Sequence, residues 1–401
     1  MTHASDLGLT MTPSCSPLRR LSYSEWSRVT SCGWKAAFAR DDRSRSLSRG
    51  SVPSAMGNAR HAIEEEVAGG LSAGRPYPSR AWVEGRFQFL LQHESGKLQA
   101  AWAPAQVPEV RTWPQVTRVK MALSRRLGVA NGTDDVEWPA IDSLIHSPTH
   151  RFVRGSEVPG APDLSDGEFL SEVWLVDTDR QMAGQMDRLS RDAGRLCVTE
   201  FKSGIGLEVE ELAARHTSQL LFYASIVEHA YGEWPRLTID GVAAPMFAVS
   251  YSPDAVVQLR EAVDTSRQSF NQSLSEGGFT VSAAASESPC CWCPYQVVCP
   301  VFTNEWTQIN DSVVHTSKRS LTFAAGRVTA ISKTVSGLEV RIVQEQEFTA
   351  PAGDVTLTRL PELLEVSVGD AIAVSGLEAS GSTVLRTEWN SVIRVEPMDA
   401  A

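Results

Sequence analysis

The chain has 401 residues, 42% of them hydrophobic, enough to bury a sizeable core and to exclude wholesale disorder. No apolar run reaches the ~18 residues of a membrane-spanning helix, and residues 1–24 lack the basic flank and apolar core of a secretion signal, so a cytoplasmic protein is expected. Thirty-seven Lys/Arg against 48 Asp/Glu give a formal charge of −11, the wrong sign for coating nucleic acid by bulk electrostatics, although residues 1–80 carry eleven basic against seven acidic groups.

Residues 1–21 read as a flexible leader. From Ser22 the stretch SYSEWSRVTSCGWKAAFAR offers polar N-caps and then helical spacing of apolar residues. Residues 41–56, rich in Ser and Arg, read as a loop, and a second helix beginning near Gly57 carries His61. The stretch from Ser72 to Leu170 mixes Trp, Pro and polar residues and yields few elements. Ser171–Val176, Gly184–Ser190 and Arg195–Lys202 then read as three short strands. A long helix from Glu208 to Tyr231, a strand at Met246–Tyr251 and a helix from Asp254 to about Leu274 follow. This order points to an α/β core.

A cysteine-rich segment runs to about Thr303. From about Val313 the texture changes to short β runs separated by turns, the pattern of a small barrel. A barrel of this size suits an OB-like fold, which commonly binds single strands. The expected division is a leader over 1–21, an α/β domain over 22–310 and an OB-like barrel over 313–401.

The chemistry concentrates at EFKSG, residues 200–204. On a strand, Glu200 and Lys202 share one face while Phe201 points to the other. The short turn at Arg191–Gly194 lets a hairpin set Asp187 beside Glu200. Two carboxylates on neighbouring strands form a hard oxygen site for Mg²⁺ or Mn²⁺, and an adjacent ammonium can orient a water or neutralise developing charge. Phosphodiester hydrolysis needs these parts. A lone Glu-x-Lys is more often an ordinary surface pair; the aspartate on the preceding strand is what sets this one apart. Gln219 and Tyr223, four apart on the following helix, share a face, with His216 one turn earlier.

Of seven cysteines, Cys290, Cys291, Cys293 and Cys299 fall within ten residues, and the odd total argues against a disulfide framework. Cys290, Cys293 and Cys299 bring three thiolates into one short loop, and Cys32 is the candidate fourth ligand. Thiolates suit zinc or an iron–sulfur cluster. Three close ligands and a remote one fit a cluster that staples the two ends of a domain, with Cys291 a bystander.

Taken in order, these motifs resemble the RecB-like branch of the PD-(D/E)xK nuclease superfamily, in the four-cysteine iron–sulfur form that includes CRISPR-associated and AddB-type nucleases. The resemblance rests on Ser22-Tyr23-Ser24, Cys32, Gly57, His61, Gly184, Asp187, Glu200, Lys202, Gln219, Tyr223, Cys290, Cys293 and Cys299, spanning about residues 22–303. It implies a restriction-endonuclease-like α/β core with an iron–sulfur staple. It also implies a metal held by His61, Asp187, Glu200 and the backbone carbonyl of Phe201, with Lys202 assisting the water and Gln219 and Tyr223 holding DNA. Cys32, Cys290, Cys293 and Cys299 would carry a structural 4Fe–4S cluster. Ser203 stands where the family usually has threonine. No G-x-x-x-x-G-K-[ST] phosphate loop occurs, so any unwinding falls to a helicase or other partner.

The expected activity is metal-dependent DNA cleavage, as an exonuclease on single strands or ends, in DNA repair or in defence against foreign DNA. Two other readings compete. One is a catalytically silent, cluster-stapled DNA-binding subunit; intact Asp187, Glu200 and Lys202 argue against it. The other is a zinc-stapled β-protein without a nucleic-acid role.

Overall fold

The computed structural model describes residues 8–48, 50–101, 109–113, 115–129, 138, 163–202, 209–241, 246–279, 290, 293–304, 322–344, 348–362 and 364–397. Five helices come first: α1 (Tyr23–Ser31), α2 (Gly33–Phe38), α3 (Val52–Ser72), α4 (Arg80–Ala101) and α5 (Val116–Leu127). Ser22 starts α1 with a capping box, accepting from the Glu25 N–H while the Glu25 carboxylate accepts from its own N–H. The single helix expected after Ser22 is in fact two, because Cys32 is extended (φ −168°, ψ 119°) and breaks the ladder. Ser51 caps α3 with Pro in its first turn, so this helix begins five residues before Gly57.

The expected flexible leader is anchored from Leu9 onward. Leu9, Leu18 and Leu21 are buried. Met11 N–H donates to the Val298 carbonyl, and Leu18 exchanges two hydrogen bonds with the Asn271 amide. Leu21 bridges to Met182. Leu9 joins one hydrophobic core and Leu18 and Leu21 the other, so the segment is held by apolar burial together with these hydrogen bonds.

The central sheet has the order β1 (Phe169–Asp177), β2 (Met182–Asp192), β3 (Arg195–Lys202), β4 (Arg236–Gly241), β5 (Phe247–Val249). Its first three strands are antiparallel, β4 runs parallel to β3, and β5 returns antiparallel. The parallel step needs a crossover, supplied by α6 (Val209–Tyr231). α6 lays Leu220, Phe222, Ile226 and Val227 on Met182, Met186, Leu189 and Val198, and α7 (Pro253–Ser275) completes that layer with Val256, Leu259 and Val263. On the other face Phe201 meets Arg60 of α3 and Arg126 of α5.

Beyond α8 (Pro300–Asn304), strands β6 (Phe323–Thr334), β7 (Gly337–Gln344), β8 (Gly353–Leu360), β9 (Ala371–Ala379) and β10 (Val384–Glu396) close a barrel in the order β10-β8-β7-β6-β9. Only β8 and β10 pair in parallel. Val328, Val340, Ile342, Val355, Leu357, Ile372 and Val374 fill its interior. Closure brings β6 hard against β7: a Cβ on Gly326 would lie 2.4 Å from the Val343 carbonyl oxygen. The barrel docks through Phe323, which packs edge-on against Phe302 (5.3 Å) and Phe348 (4.8 Å).

Candidate active site

Asp187 and Glu200 sit one step beyond the paired Arg188 and Thr199 of β2 and β3, so the hairpin does bring the two carboxylates together. Both are buried. Asp187 Oδ2 accepts from the Phe201 N–H at 2.6 Å, tying β2 to β3 at the site. Lys202 Nζ donates to Glu200 Oε1 (2.7 Å) and Gln219 Oε1 (3.0 Å). Gln219 Nε2 in turn donates to Glu200 Oε1 (2.8 Å) and the Tyr223 hydroxyl (3.0 Å).

Gln219 and Tyr223 are therefore hydrogen-bonded into the Glu200–Lys202 pair. The Tyr223 ring is buried against Gly184, where an added Cβ would come within 2.9 Å of it. Burial, then the Glu200 charge, push the Tyr223 hydroxyl well up, keeping it neutral where it accepts from Gln219. Burial and Lys202 hold His216 down at about 4, a neutral imidazole.

His61 of α3 completes the cluster. Its Nδ1 lies 2.9 Å from Glu172 Oε1 and 3.4 Å from Asp187 Oδ1. Glu172 is a site residue that the motifs missed. It lies on β1 between the Ser171–Arg188 and Val173–Met186 pairs, opposite Asp187, in the left-handed region (φ 51°). That backbone costs about 1–3 kcal/mol in a non-glycine residue and persists only where the surroundings enforce it. Gln185 Nε2 holds Glu172 Oε2 at 2.9 Å. An acidic residue inside the apolar run Phe169–Val176 was the available signal.

The donor set fits a hard divalent cation. Among the described residues, His61, Glu172 and Asp187 are the group whose ligand atoms all lie within 4.8 Å of one another. Glu200 Oε2 is buried and has no hydrogen-bond partner among those residues. Burial, then Glu200, push Asp187 up to about 7. Burial opposes protonation of His61, but the Glu172 hydrogen bond and the Asp187 charge prevail and raise it to about 9.

These shifts fix the sign of a pH effect. His61 contributes stability that is complete below its ordinary 6.5 and lost as pH rises through about 9. Asp187, raised from 3.8 to about 7, favours the fold when protonated, so its ionisation also destabilises as pH rises. Metal-free protein is expected to lose melting temperature from about pH 4 to about 9, first through Asp187 and then through His61, while the gain conferred by Mn²⁺ grows over the same window. Thermal melts in chelator and in Mn²⁺ test this; a metal-induced gain independent of pH contradicts it.

The four cysteines also converge. Cys32, Cys290, Cys293 and Cys299 line one pocket with Trp34, Phe38, Gln296 and Phe302. The extended break at Cys32 separates α1 from α2 at this point. Burial pushes the Cys293 thiol up to about 12 and Cys299 up as well. Cys291, Ser203 and Arg49 lie outside the described residues.

The profile of the PD-(D/E)XK nuclease superfamily matches residues 20–300. The chain belongs to the PD-(D/E)XK nuclease superfamily. Members of this superfamily are typically nucleases that use divalent metals such as Mg²⁺ or Mn²⁺. The match ends at Pro300, ahead of the barrel. No curated protein matches the chain. No helix among the described residues is long and apolar enough to cross a membrane.

Proposed function

We propose that this chain is a metal-dependent deoxyribonuclease of the RecB-like, iron–sulfur-stapled branch, acting as an exonuclease on single-stranded DNA or DNA ends. The observation that carries the reading is the meeting of His61, Glu172 and Asp187, with Glu200 beside Asp187 on the next strand and Lys202 hydrogen-bonded to Glu200. His61, Asp187, Glu200 and the Phe201 carbonyl would hold the metal, with Glu172 as a further carboxylate. A bound Mg²⁺ or Mn²⁺ supplies charge stabilisation at the phosphate and lowers the pKa of water.

The protein's own share is positional. Gln219 fixes Lys202 and Glu200 relative to each other, so the ammonium is preorganised beside the carboxylates. Tyr223 fixes Gln219. Burial keeps the electrostatic interactions strong.

The cysteine pocket brings four thiols to one place, three from one short segment and one from the remote Cys32, a ligand number that suits a 4Fe–4S staple.

Single strands as substrate are supported by the barrel, whose five strands close with one parallel pair in an OB-like arrangement. Arg327, Arg341 and Arg359 are exposed on the barrel and would contact the phosphates of a bound strand. A partner helicase would supply any unwinding, and repair or defence against foreign DNA is the setting proposed.

The test uses anaerobically purified protein and end-labelled single- and double-stranded DNA, with Mg²⁺, Mn²⁺ or chelator. Metal-dependent cleavage is expected, falling by about 10²–10³-fold in Lys202→Ala. The product ladder separates exonuclease from endonuclease. Binding without cleavage by the wild type would instead establish the catalytically silent subunit.

A further inference from the structure

Behind the metal-site strands lies a second charged cluster that the cleavage chemistry does not use. Arg60 is fully buried and donates through Nε to Glu64 Oε1 (3.1 Å) and through Nη2 to the Asp240 carbonyl (3.0 Å). Arg126 of α5 spans both acids, with Nη2 on Glu64 Oε1 (2.8 Å) and Nη1 on Asp240 Oδ1 (2.6 Å). Arg188 is the third cation. All three guanidinium groups surround the Phe201 ring, at 5.4, 5.9 and 4.9 Å from its centroid. The His61 ring meets the same phenyl edge-on at 5.9 Å.

Burying these charges is expensive, and a hydrophobic filling of equal volume would stabilise the fold as well or better. Arg60 Nη1, Glu64 Oε2 and Arg188 Nε even lack partners among the described residues. What the cluster does provide is position. Arg60 precedes His61, Arg188 follows Asp187, and Phe201, between Glu200 and Lys202, donates its N–H to Asp187. Cations attracted to the ring face fix the phenyl, and with it the strand that presents the carbonyl.

We propose that Arg126 is a positioning residue for the metal site: by tying Glu64 to Asp240 it holds Arg60 and the Phe201 ring, and through them His61 and the Phe201 carbonyl. This rests on the proposed metal site. It gives α5, from the stretch the sequence left unread, a part in the chemistry. Without Arg126, Glu64 and Asp240 share one cation fewer, and Arg60 is drawn between them, away from the ring.

The experiment measures Mn²⁺ affinity of the full chain by titration calorimetry, well below the melting temperature, with thermal melts alongside. Arg126→Met is expected to raise the Mn²⁺ dissociation constant about 10–100-fold, as loss of an outer partner of a metal ligand typically does. Arg126→Lys recovers part of the affinity, because an ammonium keeps the charge but not the two-pronged geometry. Arg260→Met, which removes the 2.6 Å pair to Glu228 between α7 and α6, lowers the melting temperature and leaves Mn²⁺ affinity unchanged. Should Arg126→Met melt lower yet bind Mn²⁺ like wild type, the residue is structural and the inference is overturned. If Arg126→Met does not fold, wild-type affinity in Arg126→Lys with a lowered melting temperature overturns it equally. His61→Ala separates the two claims: if it leaves Mn²⁺ binding intact, the metal-site reading itself falls.

Discussion

Asp187→Asn is expected to reduce metal-dependent cleavage by roughly 10³-fold or more, the several kcal/mol that a displaced metal withdraws from the transition state. The same change should raise the melting temperature of the metal-free protein. Asp187 stands buried beside Glu200 and opposite Glu172, and its carboxyl is pushed up to about 7 for that reason. At about pH 8 the metal-free fold holds an ionised aspartate where it prefers a neutral one, at 1.36 kcal/mol for each unit of displacement. Asparagine keeps the shape, and its side-chain oxygen can still accept from the Phe201 N–H that Asp187 Oδ2 now accepts at 2.6 Å. It forfeits the attraction to His61, so the net gain is about 1–2 kcal/mol, a few degrees in a domain of this size. Melts in chelator at about pH 8, beside cleavage assays in Mn²⁺, read both effects. An asparagine variant that melts below wild type in chelator would show that the carboxylates are not in conflict.

The second large effect concerns Cys32→Ser. A thiol-bound metal group can supply on the order of 10 kcal/mol, comparable with the whole stability of a domain. Serine is a hard and poor ligand for such a group. The segment Cys32 anchors, α2, buries Ala36, Ala37 and Phe38 against both major cores, and the Phe38 ring stacks on Tyr295 at 5.6 Å. Loss of the staple should release the 290–302 segment, and with it the seat of the barrel at Phe302. If the proposed staple is an iron–sulfur cluster, loss of its absorption and of bound iron is expected, with a melting temperature lowered by tens of degrees or insoluble protein. Anaerobically prepared wild type that contains neither iron nor zinc, with a serine variant of equal stability, would remove the staple from the account.

What the sequence made legible follows from periodicity. Glu200 and Lys202 share a face because strands alternate, and Gln219 reaches both because one helical turn sets it beside Tyr223. The ends of β3 and α6 were read almost to the residue. The unread parts have physical reasons. α4 places Arg86, Glu94 and Ser95 among its buried positions with Trp82, Phe87 and Leu91, so its inner face does not read as an apolar stripe. β4 is six residues directly after Pro235, too short to declare itself, although it forms the centre of the parallel pairing. Glu172 escaped because its place in the site depends on a left-handed backbone that alternation cannot foresee. The leader was misread because three spaced leucines in a polar stretch bury only against elements far along the chain.

That last feature carries a consequence for synthesis. Leu18 holds Asn271 across 253 residues, and neither end of that clasp is satisfied without the other. At about 5–20 residues per second, roughly 13–50 s separate their emergence from the ribosome. Through that interval α1 waits with Trp26, whose indole N–H bonds Ser266, facing water. A nascent chain of this protein therefore leaves the N-terminal half of that contact without its native partner for tens of seconds, a window in which exposed apolar surface is open to other binders.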